Sequence, residues 1–439
     1  MNIILLSGGS GKRLWPLSND IRSKQFIKVF KREDGEYESM LQRMYAGIKE
    51  VNKDSNVTIA TSSTQTSIIK NQLGDNVDIS IEPCRRDTFP AIALATAYLH
   101  DVKKISEDES VVVCPVDPYV ESDYFKTLEK LYEVSKEGKS NLSLIGIKPT
   151  YPSEKYGYII PEEKDKLSKV KTFKEKPDQE TAKKYIEEGA LWNAGVFAYK
   201  IGYVLDIAHK LIDFEDYYDL LNKYETLNKI SFDYAVVEQE EKIEVLPFDG
   251  MWKDLGTWNT LTESMNENIM GKGTFDETSK NSYIINELNV PVLGMGLEDT
   301  IVAASPDGIL VSKKDESSYI KPFVESFGEQ VRYAEKSWGT YKVINIEDES
   351  QTVLVTLNPG HSMKYHSHEN RDEVWTVISG EGVSIIDDME QIIRPGDVIT
   401  IDAGCKHTVI ANTQLKIVEV QIGKEITVED KNVFKLTRK

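Results

Sequence analysis

Residues 2–18 read NIILLSGGSGKRLWPLS: an apolar run, a glycine-rich turn, then two basic residues. Asn2–Leu6 is predicted as a buried strand, with Ser7–Arg13 as the loop at its C-terminal end. Short apolar runs follow at 56–60, 111–114 and 142–147, and PAIALATAYLH (90–100) has helical composition. Strands alternating with helices in this way predict an α/β fold with a parallel sheet covered on its faces. Ligands of such sheets sit beyond the C-terminal strand ends. Ser7–Arg13 and Pro115–Pro118 both follow strands directly, so both face that rim.

A glycine-rich loop after a strand lets backbone N–H groups approach phosphates closely. Two common nucleotide motifs fail here. A P-loop needs Gly and Ser or Thr where this chain has Leu6 and Arg13, and the dinucleotide fingerprint fails at Leu14. From 11 to 32 the basic residues are Lys12, Arg13, Arg22, Lys24, Lys28, Lys31 and Arg32, against Asp20. That is a cationic stretch in a chain of net charge −19. The overall charge argues against nucleic-acid or membrane-surface binding through bulk electrostatics, but leaves room for an anionic small substrate.

The 439 residues are enough for two or three domains. Three cysteines without C-x-x-C spacing argue against a disulfide framework or a cysteine zinc site and fit a reducing cytoplasm. No segment has the length of a membrane span, and the N-terminal apolar run lacks the basic flank and cleavage site of a signal peptide. LWNAGVFAY (191–199) and the segment ending at Leu246 read as buried strands, and Trp192, Trp252 and Trp258 as core residues. From 281 to 312 the chain is short β-rich pieces broken by turns. After Trp338 it is almost purely β-like, with a helical period only in the tail. Boundaries are therefore drawn to give 1–268, 269–332 and 333–439.

SGGSGKRLWPLS (7–18) and SKQF (23–26) together resemble the signature of sugar-1-phosphate nucleotidyltransferases, nearest to the mannose-1-phosphate guanylyltransferases. EPCRRDTFPAIALA (82–95), PVDPYV (115–120), GIKPTYPSEKYGYI (146–159), FKEKPD (173–178), WNAGVF (192–197), DYAVVE (233–238) and WKDLGTW (252–258) follow in family order. The resemblance implies a Rossmann-like nucleotidyltransferase domain acting on GTP and mannose 1-phosphate with Mg²⁺. It assigns Arg13 and Lys24 to the triphosphate and Asp117 and Asp254 to Mg²⁺, these four being the catalytic set. Gly8, Gly9, Gly11, Lys12, Glu82, Arg86 and Asp87 fall at nucleotide-binding positions. Lys176 matches the sugar-phosphate ligand, Glu175 and Asn193 the partners of sugar hydroxyls, and Gly157 and Gly195 the points of close backbone approach. The chemistry agrees: charge accumulates on phosphate oxygens during nucleotidyl transfer, so cations and in-line positioning are required. Two carboxylates suffice for Mg²⁺, which keeps water and phosphate oxygens as its other ligands. Departures lie at Asn19, Ser23, Asp87 and Pro118, where the family commonly has Arg, Pro, Asn and His; the one at Asp87 leaves another sugar 1-phosphate or nucleotide open.

A second set of residues lies near the C-terminus. Residues 360–380 read G-x5-H-x-H-x4-E-x6-G and 396–412 read G-x5-D-x-G-x2-H-x4-N, which resemble the two cupin motifs of a β-barrel domain. His366 and His368, two apart on a strand, face the same way. With Glu373 and His407 they form a set suited to Zn²⁺ or a similar divalent metal. Many related guanylyltransferases carry such a domain as a mannose-6-phosphate isomerase. Arg371, Glu373 and Trp375 match part of the isomerase motif, whereas Lys364 and Val374 depart from it, so isomerase and non-catalytic sugar-binding module both stay open. The connecting region resembles the family's short left-handed β-helix, an assembly surface compatible with a homodimer.

Overall fold

The computed structural model describes residues 1–439 apart from 10–11, 165, 328–330, 425, 428 and 437–439. Two compact units emerge. Residues 1–9, 25–66 and 76–266 form the first, and 10–24, 67–75 and 267–439 the second.

The first unit is built on a nine-stranded sheet. Its order is Asp78–Glu82, Asn56–Ser62, Asn2–Ser7, Ser110–Pro115, Leu191–Lys200, Leu142–Ile147, Ile243–Phe248, Ser168–Lys174 and Tyr158–Pro161. The first four strands are parallel, with Ile4 opposite Thr58 on one side and Val113 on the other. Ile3, Ile4 and Leu5 are fully buried, as expected of a parallel strand covered on both faces. Helix Thr88–Ala97 is apolar on every side and lies within the core, against Ile4, Val111 and Phe197. Leu191–Lys200, for which the sequence gives no direction, runs antiparallel between Ser110–Pro115 and Leu142–Ile147, so the sheet is mixed beyond its parallel part. That strand is apolar on both faces and fits a central position in either direction.

From Asn2–Ser7 the chain builds outward through Asn56–Ser62 and Asp78–Glu82, then returns to the other side with Ser110–Pro115. This reversal opens a crevice beyond Ser7 and Pro115, the binding position of open α/β sheets.

In the second unit, Ile269–Met270, Tyr283–Asn286 and Thr300–Ser305 stack in parallel register, Ile269 beside Ile284 beside Val302. Gly273–Phe275 and Val292–Gly294 stack likewise. Such stacking is what short parallel coils produce. Gly308–Lys313 pairs antiparallel with Thr300–Ser305. Beyond them, a six-stranded and a five-stranded antiparallel sheet carry the strands from Tyr333 onward, and Val355, Leu357, Trp375, Ile399, Val409 and Ile417 form one apolar core. The tail is not helical in its described part. Asn432–Val433 pairs with His366–Ser367, a ladder that overrides the local helical period.

Candidate functional sites

One cleft of the first unit, of about 210 Å³, is lined by Asp117, Lys155, Tyr156, Gly157, Glu175, Asn193, Gly195, Asp233, Trp252 and Asp254. Strand ends deliver nearly all of them. Asp117 follows Ser110–Pro115, and Trp252–Asp254 pairs antiparallel with Pro118–Val120, setting Asp254 opposite Pro118 and so beside Asp117. Two acids 137 positions apart in sequence (254 − 117) thus share one wall.

Asn193 and Gly195 lie where the ladder of Leu191–Lys200 slips register, and Gly195 has φ +68°. Glycine takes this left-handed backbone without steric cost. Asn193 Oδ1 accepts from Gly195 N at 3.0 Å, its Nδ2 donates to Asp233 Oδ1 at 2.6 Å, and its N donates to Gly157 O at 2.8 Å. A Cβ on Gly157 would stand 2.5 Å from Glu175 Oε2, so the glycine is required for the carboxylate to lie there. Glu175 is buried; its Oε1 accepts from Lys176 Nζ at 2.6 Å, while its buried Oε2 has no hydrogen-bond partner. Burial, with the Glu175 charge nearby, pushes the Asp233 carboxyl up to about 6. Burial, reinforced by Asp254, pushes the Tyr156 hydroxyl up as well.

Four carboxylates and one lysine therefore line the cleft, with Lys176 tied to its edge through Glu175. An anionic phosphate could not enter so acidic a space without added positive charge. Oxygen donors alone at Asp117 and Asp254 suit a hard cation such as Mg²⁺, so the residues present fit that metal.

Beyond the crevice strands, Gly8 and Gly9 follow Ser7, and Gln65 Nε2 donates to Gly9 O at 3.2 Å. Glu82, at the end of its strand, accepts from Tyr224 Oη at 2.9 Å; burial raises its pKa although this hydrogen bond opposes the shift. Arg86 donates to the Glu225 carbonyl. Asp87 is exposed and caps helix Thr88–Ala97, accepting from Thr88 N at 2.7 Å. In the second unit, Lys12 and Arg13 form the short turn Lys12–Leu14, and Lys24 opens the turn Lys24–Phe26. Gly11 lies outside the described residues.

Two sequence expectations are corrected. The cationic stretch is partly compensated: Lys12 pairs with Asp20 at 3.1 Å, Arg22 is buried against Glu287, and Arg32 pairs with Asp34. Of the three tryptophans read as core, Trp258 is fully buried, but Trp252 is half-buried and lines the cleft. Its neighbour Tyr156 lies 5.8 Å away, and Tyr156 is 4.8 Å from Trp192. Trp252 sits on a short edge ladder beside the cleft, where a core covers only one of its faces. Asp233, Tyr156 and Lys155 were not singled out from sequence. The motif DYAVVE marked the segment of Asp233 without showing what it meets.

In the barrel, His366 sits opposite His407 in the ladder, and His366, His368 and His407 present nitrogens within 4.8 Å of one another. Each Nδ1 lies against a backbone carbonyl: His366 on Lys364 at 2.6 Å, His407 on Cys405 at 3.0 Å, and His368 on Asp430. That bond fixes the tautomer and leaves Nε2 as a lone pair. Burial, with Lys431 and His407 nearby, drives the His366 ring down to about 3, so it is neutral, as a metal ligand must be. Glu373 Oε1 is 3.1 Å from His368 Nε2, and Oε2 is 3.4 Å from His407 Nε2, a buried atom with no hydrogen-bond partner. The His407 lone pair facing a carboxylate repels it unless a cation or proton lies between. The site therefore fits a divalent metal. Trp375 Nε1 holds Glu373 Oε2 at 3.1 Å, and Arg371, also buried, reaches Glu373 at 3.4 Å and His368 Nε2 at 3.0 Å. Glu419, buried near Glu373, is pushed up to about 8.

The crevice, the acidic cleft and the barrel define an α/β transferase unit joined to a metal-binding type of β-barrel. Residues 2–269 match the nucleotidyl transferase family, and the chain belongs to that family. Residues 353–421 match the cupin domain. Along 97% of its length the chain is 28% identical to mannose-1-phosphate guanylyltransferase 2 of Escherichia coli O157:H7, covering 96% of that protein. It is 27% identical to mannose-1-phosphate guanylyltransferase of Salmonella montevideo, over 97% of each chain. A crystal structure described as mannose-1-phosphate geranyltransferase from Thermus thermophilus superimposes with TM-score 0.62 at 26% identity, over 74% of this chain and 98% of that one.

Proposed function

We propose that the protein transfers GMP from GTP to mannose 1-phosphate, giving GDP-mannose and pyrophosphate. A phosphate oxygen of the sugar attacks the α-phosphorus, a new P–O bond forms, and the bond to the bridging oxygen of pyrophosphate breaks. Mg²⁺ held by Asp117 and Asp254 supplies positive charge to the phosphates when bound. Arg13 and Lys24 are assigned to the triphosphate, with Gly8, Gly9, Gly11, Lys12, Glu82, Arg86 and Asp87 around the nucleotide. Lys176 takes the sugar phosphate, and Glu175 and Asn193 take sugar hydroxyls beside Gly157 and Gly195. The observation carrying this reading is the cleft itself, which joins Asp117 and Asp254 to Glu175 and Asn193 in a chain similar throughout to guanylyltransferases.

The division into 1–268, 269–332 and 333–439 is proposed on the same basis, as is a cytoplasmic location, which suits three free thiols. The barrel is read as a mannose 6-phosphate isomerase holding Zn²⁺ or a similar metal through His366, His368, Glu373 and His407, with Arg371 inside the site. A second reading makes it a non-catalytic sugar-binding module; Lys364 and Val374, which depart from the isomerase motif, favour it.

Pyrophosphate release over a grid of nucleoside triphosphates and sugar 1-phosphates with Mg²⁺ tests the main reading. A response at GTP with mannose 1-phosphate is expected. A response only at another pair would move the specificity and keep the mechanism, and silence throughout would overturn the transferase reading.

A further inference from the structure

Several groups of the segment following the glycine-rich loop bond to distant parts of the second unit. Arg22 is 4% exposed, and its two terminal nitrogens donate to the two carboxylate oxygens of Glu287 at 2.9 and 2.8 Å. Its Nε lies 3.8 Å from Glu335, itself 1% exposed, and its guanidinium lies over the Tyr333 ring at 5.2 Å. Asn19, one of the departures from the family pattern, closes a local turn by accepting from Ile21 N and Arg22 N at 2.9 and 2.7 Å. Its Nδ2 donates outward, to Asp307 Oδ2 at 2.8 Å and Tyr333 O at 3.1 Å. Ser305 Oγ donates to Pro16 O at 2.6 Å. Trp15 packs against Phe327 at 5.1 Å and against Gly308, where a Cβ would stand 2.4 Å from its ring.

Residues 15–22 are thus fixed from the parallel coils (Glu287, Ser305, Asp307, Gly308) and from the first barrel strand, Tyr333–Lys336 (Tyr333, Glu335). Arg13 and Lys24 stand at the two ends of this clamped stretch. A bidentate Arg–carboxylate pair is geometrically demanding, and burial makes its loss costly. The bonds also satisfy the backbone of an irregular loop that has no ladder of its own.

We propose that Arg22, with Asn19, is a positioning residue for nucleotidyl transfer: Glu287 and Glu335, elsewhere in the same unit, set the loop that presents Arg13 and Lys24 to the nucleoside triphosphate. This rests on the assignment of Arg13 and Lys24 to the triphosphate made above. It follows that the coils and the first barrel strand are parts of the transferase, whatever the barrel itself catalyses. A loop held only by its own glycines would sample many shapes, and misplacing a charged ligand of the phosphates weakens both binding and in-line geometry.

The test uses the full chain, with pyrophosphate release measured while GTP and mannose 1-phosphate are varied separately. Arg22→Met is expected to lower kcat/KM for GTP at least tenfold while KM for mannose 1-phosphate stays within twofold and barrel metal content is unchanged. Arg22→Lys, which keeps the charge and loses the fork, should recover part of the loss. Should the loss of the cation stop Arg22→Met from folding, the double variant Arg22→Met/Glu287→Met removes the forked pair and leaves Glu335 its hydrogen bond from Gln72 Nε2 at 3.2 Å, and the same loss for GTP is expected. Double-variant kinetics within twofold of the parent for both substrates would overturn the proposal and leave the clamp a matter of stability alone. An active parent with unaffected variants sinks only this inference. A parent silent with every nucleotide and sugar phosphate sinks the transferase reading and this inference with it.

Discussion

Asn193 Nδ2 donates to Asp233 Oδ1 at 2.6 Å, while Asn193 Oδ1 holds the Gly195 amide. The amide group is thereby fixed at both ends, and its orientation in the cleft is set by a carboxylate 40 residues further along the chain. Asp233 has a raised pKa of about 6 against 3.8 ordinarily, owing first to burial and then to Glu175. Between these two values the folded protein binds more protons than the unfolded chain, so stability falls as pH rises through that window. The penalty is complete above it, on the order of 3 kcal/mol at most. Asp233→Asn keeps an acceptor for Asn193 and removes the charge. It should raise the melting temperature at pH 8, and the gain should vanish by pH 4. If the sugar phosphate enters this cleft as proposed, KM for mannose 1-phosphate should fall a few-fold. A variant less stable than the parent at pH 8 would contradict the assignment of burial as the cause.

Gly157 gives a sharper test of the proposed sugar-binding side of the cleft. Its missing side chain leaves room for Glu175 Oε2, which has no protein hydrogen-bond partner and so can accept from a ligand hydroxyl. In Gly157→Ala the new methyl would meet that oxygen at 2.5 Å, with Phe173 and Asn193 behind it at 3.1 and 3.3 Å. Glu175 must swing away. KM for mannose 1-phosphate should rise tenfold or more, with KM for GTP little changed, in steady-state kinetics at saturating partner substrate. Equal increases in both constants would show that Glu175 does not address the sugar.

Asp254 is held by its short ladder to Pro118–Val120, next to Asp117. Asp254→Asn preserves size and the ladder and removes a charge from the paired acids. Turnover should fall at least a hundredfold, as for loss of one electrostatic contributor in a transition state. Circular dichroism and melting temperature should stay near the parent's. Raising Mg²⁺ should restore part of the loss. Activity close to the parent's would remove Asp254 from the metal site.

Local pattern made the central strands, the helix at 88–97 and the placement of Ser7–Arg13 and Asp117 at the rim legible, because apolar runs and glycine turns are short-range signals. The family motifs marked Gly157, Glu175, Asn193 and Gly195, which meet in one cleft. What stayed hidden is pairing across the chain. Arg22 reads as one more surface cation because its partner is 265 residues away. Asp233, in the helical turn Phe232–Ala235, and Trp252, on a short strand, gain their meaning only when distant segments are brought together. The antiparallel course of Leu191–Lys200 was equally invisible, since a strand buried on both faces carries no mark of direction.

The barrel can be tested without reference to either activity. His366 is buried, its Nδ1 is committed to the Lys364 carbonyl, and its other nitrogen lies in the cluster with His368 and His407. His366→Ala removes one ligand and leaves the buried His407 nitrogen and Glu373 to face each other with less to hold a cation between them. Elemental analysis of the purified protein should find about one divalent metal in the parent beyond any Mg²⁺, and much less in His366→Ala. Metal removal by a chelator should lower the parent's melting temperature, since a ligand at a hundred times its Kd stabilises by about 2.7 kcal/mol. The same chelator should leave His366→Ala nearly unmoved, because there is little metal to withdraw. Equal metal content in the two proteins would place the ion elsewhere, and the three imidazoles would then be packing groups of the barrel.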